Sequence, residues 1–469
     1  MNLLPVLLLL LSIGFLTRVS AADRAPNIIV VFFDDLGWGD LGTFGAKAIQ
    51  TPHIDQLATE GTRYTSFYVS QPVCSASRAS LLTGCYANRV GIHGALFPAA
   101  KIGLNTNEIT LARMLKSRGY ATGMVGKWHL GRPVELLPLR HGFDEYLGLP
   151  YSNDMWPNHP GAKPGSYPSL PLIEGDRVLE ENPDQRQLTA RYTARAVSFI
   201  ERHRDQPFFL HVAHSMPHVP LHVNERYQGK SAAGAYGDVI EELDGSVGEI
   251  LAALKRNQLE ENTWVIVTSD NGPWLSYGNH GGSAGPFREG KGTVYEGGVR
   301  VPCVMRWPGK IPAGRTCPEA LMTIDLLPTI AGRVGAPLPP LRIDGRDSWS
   351  VFSGQSPQQP RTYWFFYGQN QLQALRSGRW KVILPHTAAV LAGRGGGRDG
   401  LPSGYTQVKT ELALYDLETD PGETRNLATK KPKVLQRLFR EVEAARTELG
   451  DSLTGRTGTG NREPGRVGS

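Results

Sequence analysis

Residues 27–33 read NIIVVFF, a nearly uninterrupted apolar run that stops at Asp34-Asp35. A continuous run of this length is the mark of a strand covered on both faces. Three further runs repeat the pattern. Residues 120–125 (YATGMV) end at Gly126-Lys127-Trp128-His129, residues 207–213 (PFFLHVA) lead to His214 and His218, and residues 263–268 (TWVIVT) lead to Asp270-Asn271-Gly272. Between and around them lie stretches of helical spacing: 109–118, closed by Gly119, then 188–202 and 235–256. Strand–helix–strand alternation predicts an α/β fold with a large, mostly parallel sheet flanked by helices. After about residue 360 the pattern changes. Short strands at 362–367, 373–376, 380–384 and 411–416, then a helix over 433–449, predict a small C-terminal antiparallel sheet with one packed helix. Residues 393–400 (GRGGGRDG) read as a flexible loop.

The chain therefore divides into a leader at 1–22, a main α/β domain at 23–360, a C-terminal α+β subdomain at 361–451 and a Gly-, Thr- and Arg-rich tail at 452–469 that reads as disordered. The leader holds an apolar run at 3–16 (LLPVLLLLLSIGFL), short for a membrane span. The small residues Val19-Ser20-Ala21-Ala22 follow and suit signal peptidase. A cleaved signal peptide is expected, and with it a secreted or periplasmic protein. The chain has no Asn-x-Ser/Thr acceptor, which tilts the source toward bacteria. The formal net charge of +6 serves solubility or contact with anionic polymers. Neither a nucleic-acid partner nor stable membrane insertion is expected. Four cysteines are too few for a disulfide scaffold. Cys303 and Cys317, which flank the turn-rich WPGKIPAG, are placed to pair across neighbouring strands, and Cys85 reads as a buried helix residue.

In an open parallel sheet, ligands bind beyond the carboxyl ends of the strands. Asp34, Asp35, Asp270 and Asn271 all fall there. A single Asp after a strand is as readily a helix cap. An Asp-Asp and an Asp-Asn pair closing two buried strands point to a metal site, and hard oxygen donors suit calcium or magnesium rather than zinc. Residues 72–84 (PVCSASRASLLTG) read as a loop entering a helix that stops at Gly84. Cys74 then starts the helix, where free N–H groups favour an anionic neighbour. Arg78, one turn on, shares its face.

The string Cys74-x-Ala76-x-Arg78, continued by Ala79-Ser80-Leu81-Leu82-Thr83-Gly84, resembles the signature of the type I sulfatases, the formylglycine-dependent, arylsulfatase A-like family of the alkaline phosphatase superfamily. Other markers of that family stand in order: DDLGWGD at 34–40, TPHIDQLA at 51–58, GKWHLG at 126–131, TSDNG at 268–272 and GKGTVYEGGVRVP at 290–302. The resemblance runs from about residue 27 to 449. One departure is Ala76, where many members have proline.

The resemblance implies an alkaline-phosphatase-like fold and hydrolysis of sulfate esters. It implies that a maturation enzyme oxidises Cys74 to formylglycine (3-oxoalanine), and that Ca2+ is held by Asp34, Asp35, Asp270, Asn271 and the modified Cys74. By position, Arg78 would hold the formylglycine, Lys127 and Lys291 would grip the sulfate oxygens, and His129 would hydrogen-bond the diol. Ser152 would support this region and His218 would face the leaving oxygen, so that Lys127, His218 and Lys291 touch substrate. A diol oxygen would attack sulfur, His218 would protonate the departing alcohol, and His129 would take the second hydroxyl's proton as the carbonyl reforms. His211, His214 and His222 read as packing or rim residues. Two rivals remain open: a phosphate ester hydrolase of the same superfamily, which commonly uses Ser or Thr and zinc, and an inactive binder of sulfated glycans. Loops 96–103, 155–170 and 274–280 should wall the pocket, with Trp156, Trp274 and Tyr277 able to stack on sugar rings. A sulfated polysaccharide or oligosaccharide is the expected substrate ahead of a small aryl sulfate.

Overall fold

The computed structural model describes residues 24–357 and 361–468; the signal-peptide reading falls on 1–22, outside them. The first apolar run forms β1 (Asn27–Phe33), and its neighbours in the sheet come from across the chain. In chain order these are β2 (Thr62–Tyr68), β3 (Ala121–Gly126), β4 (Glu145–Gly148), β5 (Pro171–Glu174), β6 (Arg177–Glu181), β7 (Phe208–Ala213), β8 (Thr263–Ser269), β9 (Arg300–Arg306) and β10 (Arg315–Cys317). Their spatial order is β10-β2-β9-β8-β1-β7-β3-β4-β5-β6. The five strands from β8 to β4 are all parallel. Antiparallel pairs flank them on both sides. The predicted mostly parallel sheet is therefore present.

β1 shows why the apolar run is continuous. Ile28, Val30 and Phe32 enter one core, and Ile29, Val31 and Phe33 enter the other. All six are buried. Each such side chain contributes about 1.5–3 kcal/mol relative to exposure. The second core is roofed by α1 (Pro52–Thr59), and by the long amphipathic helices Leu188–Arg202 and Gly234–Arg256. The first core takes α2 (Cys74–Thr83), whose ten residues are all buried and which ends at Gly84 in the left-handed conformation (φ 68°).

Beyond residue 360, β11 (Thr362–Tyr367), β12 (Gln371–Ser377), β13 (Trp380–Ile383) and β14 (Ala413–Asp416) form a four-stranded antiparallel sheet. The helix Pro432–Leu449 packs on it through Leu438, Val442, Ala445 and Leu449. These side chains belong to the same apolar cluster as Phe32 and Tyr68, so the small sheet shares a core with the large one.

Three expectations are corrected. The tail, read as disordered from its composition, is held down through residue 468. Gly465 and Arg466 pair with Gly103 and Ile102, and Arg462 grips Glu108 with two hydrogen bonds of 2.7 and 2.8 Å. The loop at 393–400 is docked rather than free. The amide of Gly397 donates to Ser276 O at 2.7 Å, and a Cβ on Gly396 would lie 2.3 Å from the Gly278 nitrogen. Cys303 and Cys317 are both free thiols. They sit opposite Tyr64 from the two sides of β2, so a strand separates them. Two strand spacings, roughly 9.5 Å, exceed what a disulfide bridges. Cys85 is buried as expected, just past the end of α2.

Candidate active site

The parallel strands deliver their carboxyl ends to one edge. β1 runs into Asp34-Asp35, β3 into Lys127 and His129, β4 toward Ser152, β7 toward His218, and β8 into Asp270-Asn271. Asp35 (φ 67°) and His129 (φ 59°) are held in the left-handed region, a conformation that costs a side chain about 1–3 kcal/mol and concentrates at functional sites.

Cys74 is the first residue of α2. Val73 precedes it in extended conformation and offers no side-chain cap, so the free N–H groups of the first turn are open to an acceptor. The Cys74 thiol lies 3.4 Å from Asp34 Oδ1. Burial, and then the charge of Asp34, push it well above the usual thiol range. One turn on, Arg78 donates through Nε and Nη2 to Asp270 Oδ2 (3.1 and 2.8 Å) and through Nη1 to the Lys127 carbonyl (2.9 Å). The guanidinium also lies over the Phe32 ring, 5.5 Å from its centroid.

Cations and carboxylates alternate through the site. Lys127 Nζ is 2.5 Å from Asp34 Oδ2 and donates to Ser152 Oγ at 3.0 Å. Lys291 Nζ is 2.8 Å from Asp35 Oδ1. Burial would raise Asp34, but Lys127, His218, Arg78 and Lys291 overcome it and hold the carboxyl well below its ordinary value. Asp270 goes the other way, up to about 7, through burial and the neighbouring charge of Asp34. His218 donates from Nδ1 to the Val219 carbonyl (2.6 Å), and its Nε2 stands 3.5 Å from Ser152 Oγ and 3.6 Å from Asp35 Oδ2. His129 donates from Nε2 to the Leu96 carbonyl (2.8 Å), and its Nδ1 is buried with no partner among the described residues. Burial, with Lys127 and Arg78, keeps that ring neutral. All eleven residues singled out in the sequence thus converge.

The donor set fits a hard divalent cation. Ligand atoms of Asp34, Asp35, Cys74 and His218 lie within 4.8 Å of one another. Asn271 donates from Nδ2 to Asp35 Oδ1 at 2.7 Å, which leaves its Oδ1 buried with no hydrogen-bond partner among the described residues. An orphaned buried oxygen beside crowded carboxylates is what such an ion would satisfy.

A cavity of about 400 Å3 opens above Cys74. The family model described as Sulfatase matches residues 26–336, and that for the C-terminal region of aryl-sulfatase matches residues 359–462. The chain belongs to the sulfatase family. It is 39% identical over 460 residues to arylsulfatase A of Homo sapiens, with 92% of this chain and 90% of that protein covered. It is 37% identical over 451 residues to N-acetylgalactosamine-6-sulfatase of Mus musculus, covering 89% and 84%. Among solved structures, Ps i-CgsB in complex with k-i-k-neocarrahexaose superposes with a TM-score of 0.74 at 28% identity, covering 90% of this chain and 92% of that one. This sulfatase is thus a sulfuric ester hydrolase of alkaline-phosphatase-like fold.

The sulfatase pocket differs from the sequence reading at its walls. Trp274 lines it, held between Lys291 Nζ (4.2 Å from the ring centroid) and the His218 ring (5.3 Å). Trp156 packs instead on His222, and Tyr277 braces Trp274 from behind. His211 and His214 are packing residues, as expected: burial drives both down to about 3, and they lie against Phe32 and Phe33. Asp154, together with Tyr367, Ala389 and Tyr405 from the C-terminal subdomain, lines the pocket and was not foreseen. No local pattern marks any of them.

Proposed function

We propose that this sulfatase removes sulfate from sulfated glycans, with residue 74 converted to formylglycine and calcium held by Asp34, Asp35, Asp270 and Asn271. The observation that carries the reading is the state of Cys74. A buried thiol with a raised pKa, beside a carboxylate, is a poor nucleophile. Conversion supplies an oxygen nucleophile at the same point, and calcium supplies positive charge for the sulfuryl oxygens. A relative named for a sulfated amino sugar and a neighbour solved with neocarrahexaose support a glycan substrate.

The chain's own residues take these roles. Arg78, fixed on two sides by Asp270 and the Lys127 carbonyl, keeps residue 74 oriented. Lys127 and Lys291 offset charge on the sulfate oxygens. His129 presents a neutral Nδ1 as acceptor, because Leu96 holds its other nitrogen as donor. Ser152 bridges Lys127 and His218. His218 delivers a proton from Nε2 to the departing alcohol, with Asp35 beside it to stabilise the charged ring. The folded chain leaves Cys74 2% exposed, so a maturation enzyme must act before α2 is buried. Export through the leader is part of the same reading. No helix among the described residues is long and apolar enough to cross a membrane.

Sulfate release from a panel of sulfated glycans, against matched phosphate esters, tests the reaction class; faster phosphate release would overturn it. His218→Ala should lower turnover of sugar sulfates by about 10²–10⁴ and of an activated aryl sulfate far less, since only the poor leaving group needs the proton. Equal losses would remove His218 as the acid. Prolonged chelation should inactivate the enzyme. Calcium at a hundredfold excess over its Kd should then restore activity and add about 2.7 kcal/mol of stability. An unchanged melting temperature on adding calcium would count against the metal ligands named.

A further inference from the structure

The cavity's charges are unevenly placed. Its floor holds Lys291, paired to Asp35, and the cations buried behind the lining, Lys127 and Arg78, are likewise committed to Asp34 and Asp270. Above the floor the walls are aromatic or apolar, built from Phe97, Met155, Tyr167, Tyr367 and Tyr405. Phe97 is 58% exposed at the mouth. Among the described residues these walls carry no lysine or arginine and a single carboxylate, that of Asp154.

Asp154 is not an idle surface acid. Its Oδ1 is buried and has no hydrogen-bond partner among the described residues. It follows Ser152 by two positions and lines the same cavity as Ser152 and His218, so it shares the wall from which the proposed leaving group departs. Its carboxylate makes no hydrogen bond or ion pair among the described residues, and an unpartnered carboxylate on a cavity wall calls for a donor from the ligand. The same charge, on walls with no cation of their own to answer it, repels a second anion.

We infer that Asp154 is a specificity-determining residue: it accepts a hydrogen bond from a hydroxyl or N–H group next to the scissile sulfate ester and excludes leaving groups that carry a second sulfate or a carboxylate there. This rests on the sulfatase reading above and narrows it. The substrate class becomes sugar sulfates whose neighbouring substituent is an uncharged or cationic donor, rather than densely sulfated chains.

The test uses two sugar sulfates that differ only in whether the adjacent carbon bears a hydroxyl or a second sulfate, with an aryl sulfate as reference for the chemistry itself. The wild type should favour the monosulfated sugar by about 10²-fold or more in kcat/KM, and Asp154→Asn should collapse that ratio to within about tenfold. Equal use of both sugars by the wild type would overturn the inference. So would parallel losses on all three esters in Asp154→Asn, which would make the residue structural. Affinity of Cys74→Ala protein for the two sugars, measured by calorimetry, repeats the comparison without turnover. Equal binding of the two, or binding of neither, would also overturn it. Aryl sulfate hydrolysis by the wild type reports on the sulfatase reading separately, so the two can fail independently.

Discussion

Cys74→Ala should reduce sulfate release to background, a loss of at least about 10⁴-fold in kcat, the scale seen when a covalent nucleophile is removed. The substitution deletes one sulfur from the start of α2 and leaves Arg78 on Asp270 and Lys127 on Asp34, so the charged lattice of the site survives. Its melting temperature should therefore stay within a few degrees of the wild type, and any substrate affinity should remain. Sulfate release that persists in a correctly folded variant would refute covalent chemistry at this position. The measurement needs one companion: the mass of the peptide carrying residue 74 in the wild type. An unconverted thiol there should be as inactive as the alanine variant, because burial and Asp34 keep it protonated. Ala76, in place of the more usual proline, makes that check part of any expression trial.

The second large effect lies away from the chemistry. Lys381→Met should destabilise the protein by about 3–5 kcal/mol, because removing one partner of a buried ion cluster strands the others. Lys381 Nζ lies 2.9 Å from Glu296 Oε1 and 3.0 Å from Glu423 Oε1, and all three side chains are shut off from solvent. Glu296 also accepts from Tyr68 Oη at 2.5 Å, and the Glu296 amide donates to Glu423 Oε2 at 2.7 Å. Burial alone would raise Glu296; Lys381, Arg300 and Arg376 overcome it and hold it at about 2. Burial, with Glu296 adding to it, lifts Glu423 to about 7. The sign of the pH dependence follows. In the wild type Glu296 stabilises the fold above its ordinary value of 4.5, and that contribution is lost as pH falls toward 2. Without Lys381 both folded-state carboxyls take up protons more readily than they do in the wild type. The deficit should thus be smaller near pH 4 than near pH 8, growing as pH rises through 7. Urea unfolding of both proteins at two pH values checks this, and a deficit independent of pH would refute the electrostatic account.

The metal-side residues were legible because burial writes them into the chain. Both β1 and β8 are apolar runs that must end where the sheet does, and the first residues after them are Asp34 and Asp270. Cys74 and Arg78 were legible through their helical spacing and the string around them. Other features depend on contacts that no short window contains. Composition marks the tail as disordered, yet Arg462 meets Glu108 across 354 residues of chain. Cys303 and Cys317 flank a turn, and nothing local reveals that β2 inserts between their strands. Tyr405 and Tyr367 reach the pocket because the C-terminal sheet folds back over it, while Asp154 is one acid in a loop without periodicity.

That the small C-terminal sheet shares a core with the large one also governs how this enzyme can be re-engineered. Tyr367 ends β11, and Ala389 and Tyr405 lie in the segment between β13 and β14, while the reacting groups all lie N-terminal to residue 300. One part of the substrate-facing wall is thus encoded apart from the reacting groups, while Phe97, Asp154 and Tyr167 stay in the same stretch as them. Grafting residues 361–468 from a relative would exchange the part of the rim built from Tyr367, Ala389 and Tyr405 while leaving Asp154 and the reaction machinery in place. The graft must bring compatible partners for Tyr68 and Glu296, since the seam it crosses is hydrophobic core and buried charge rather than a linker.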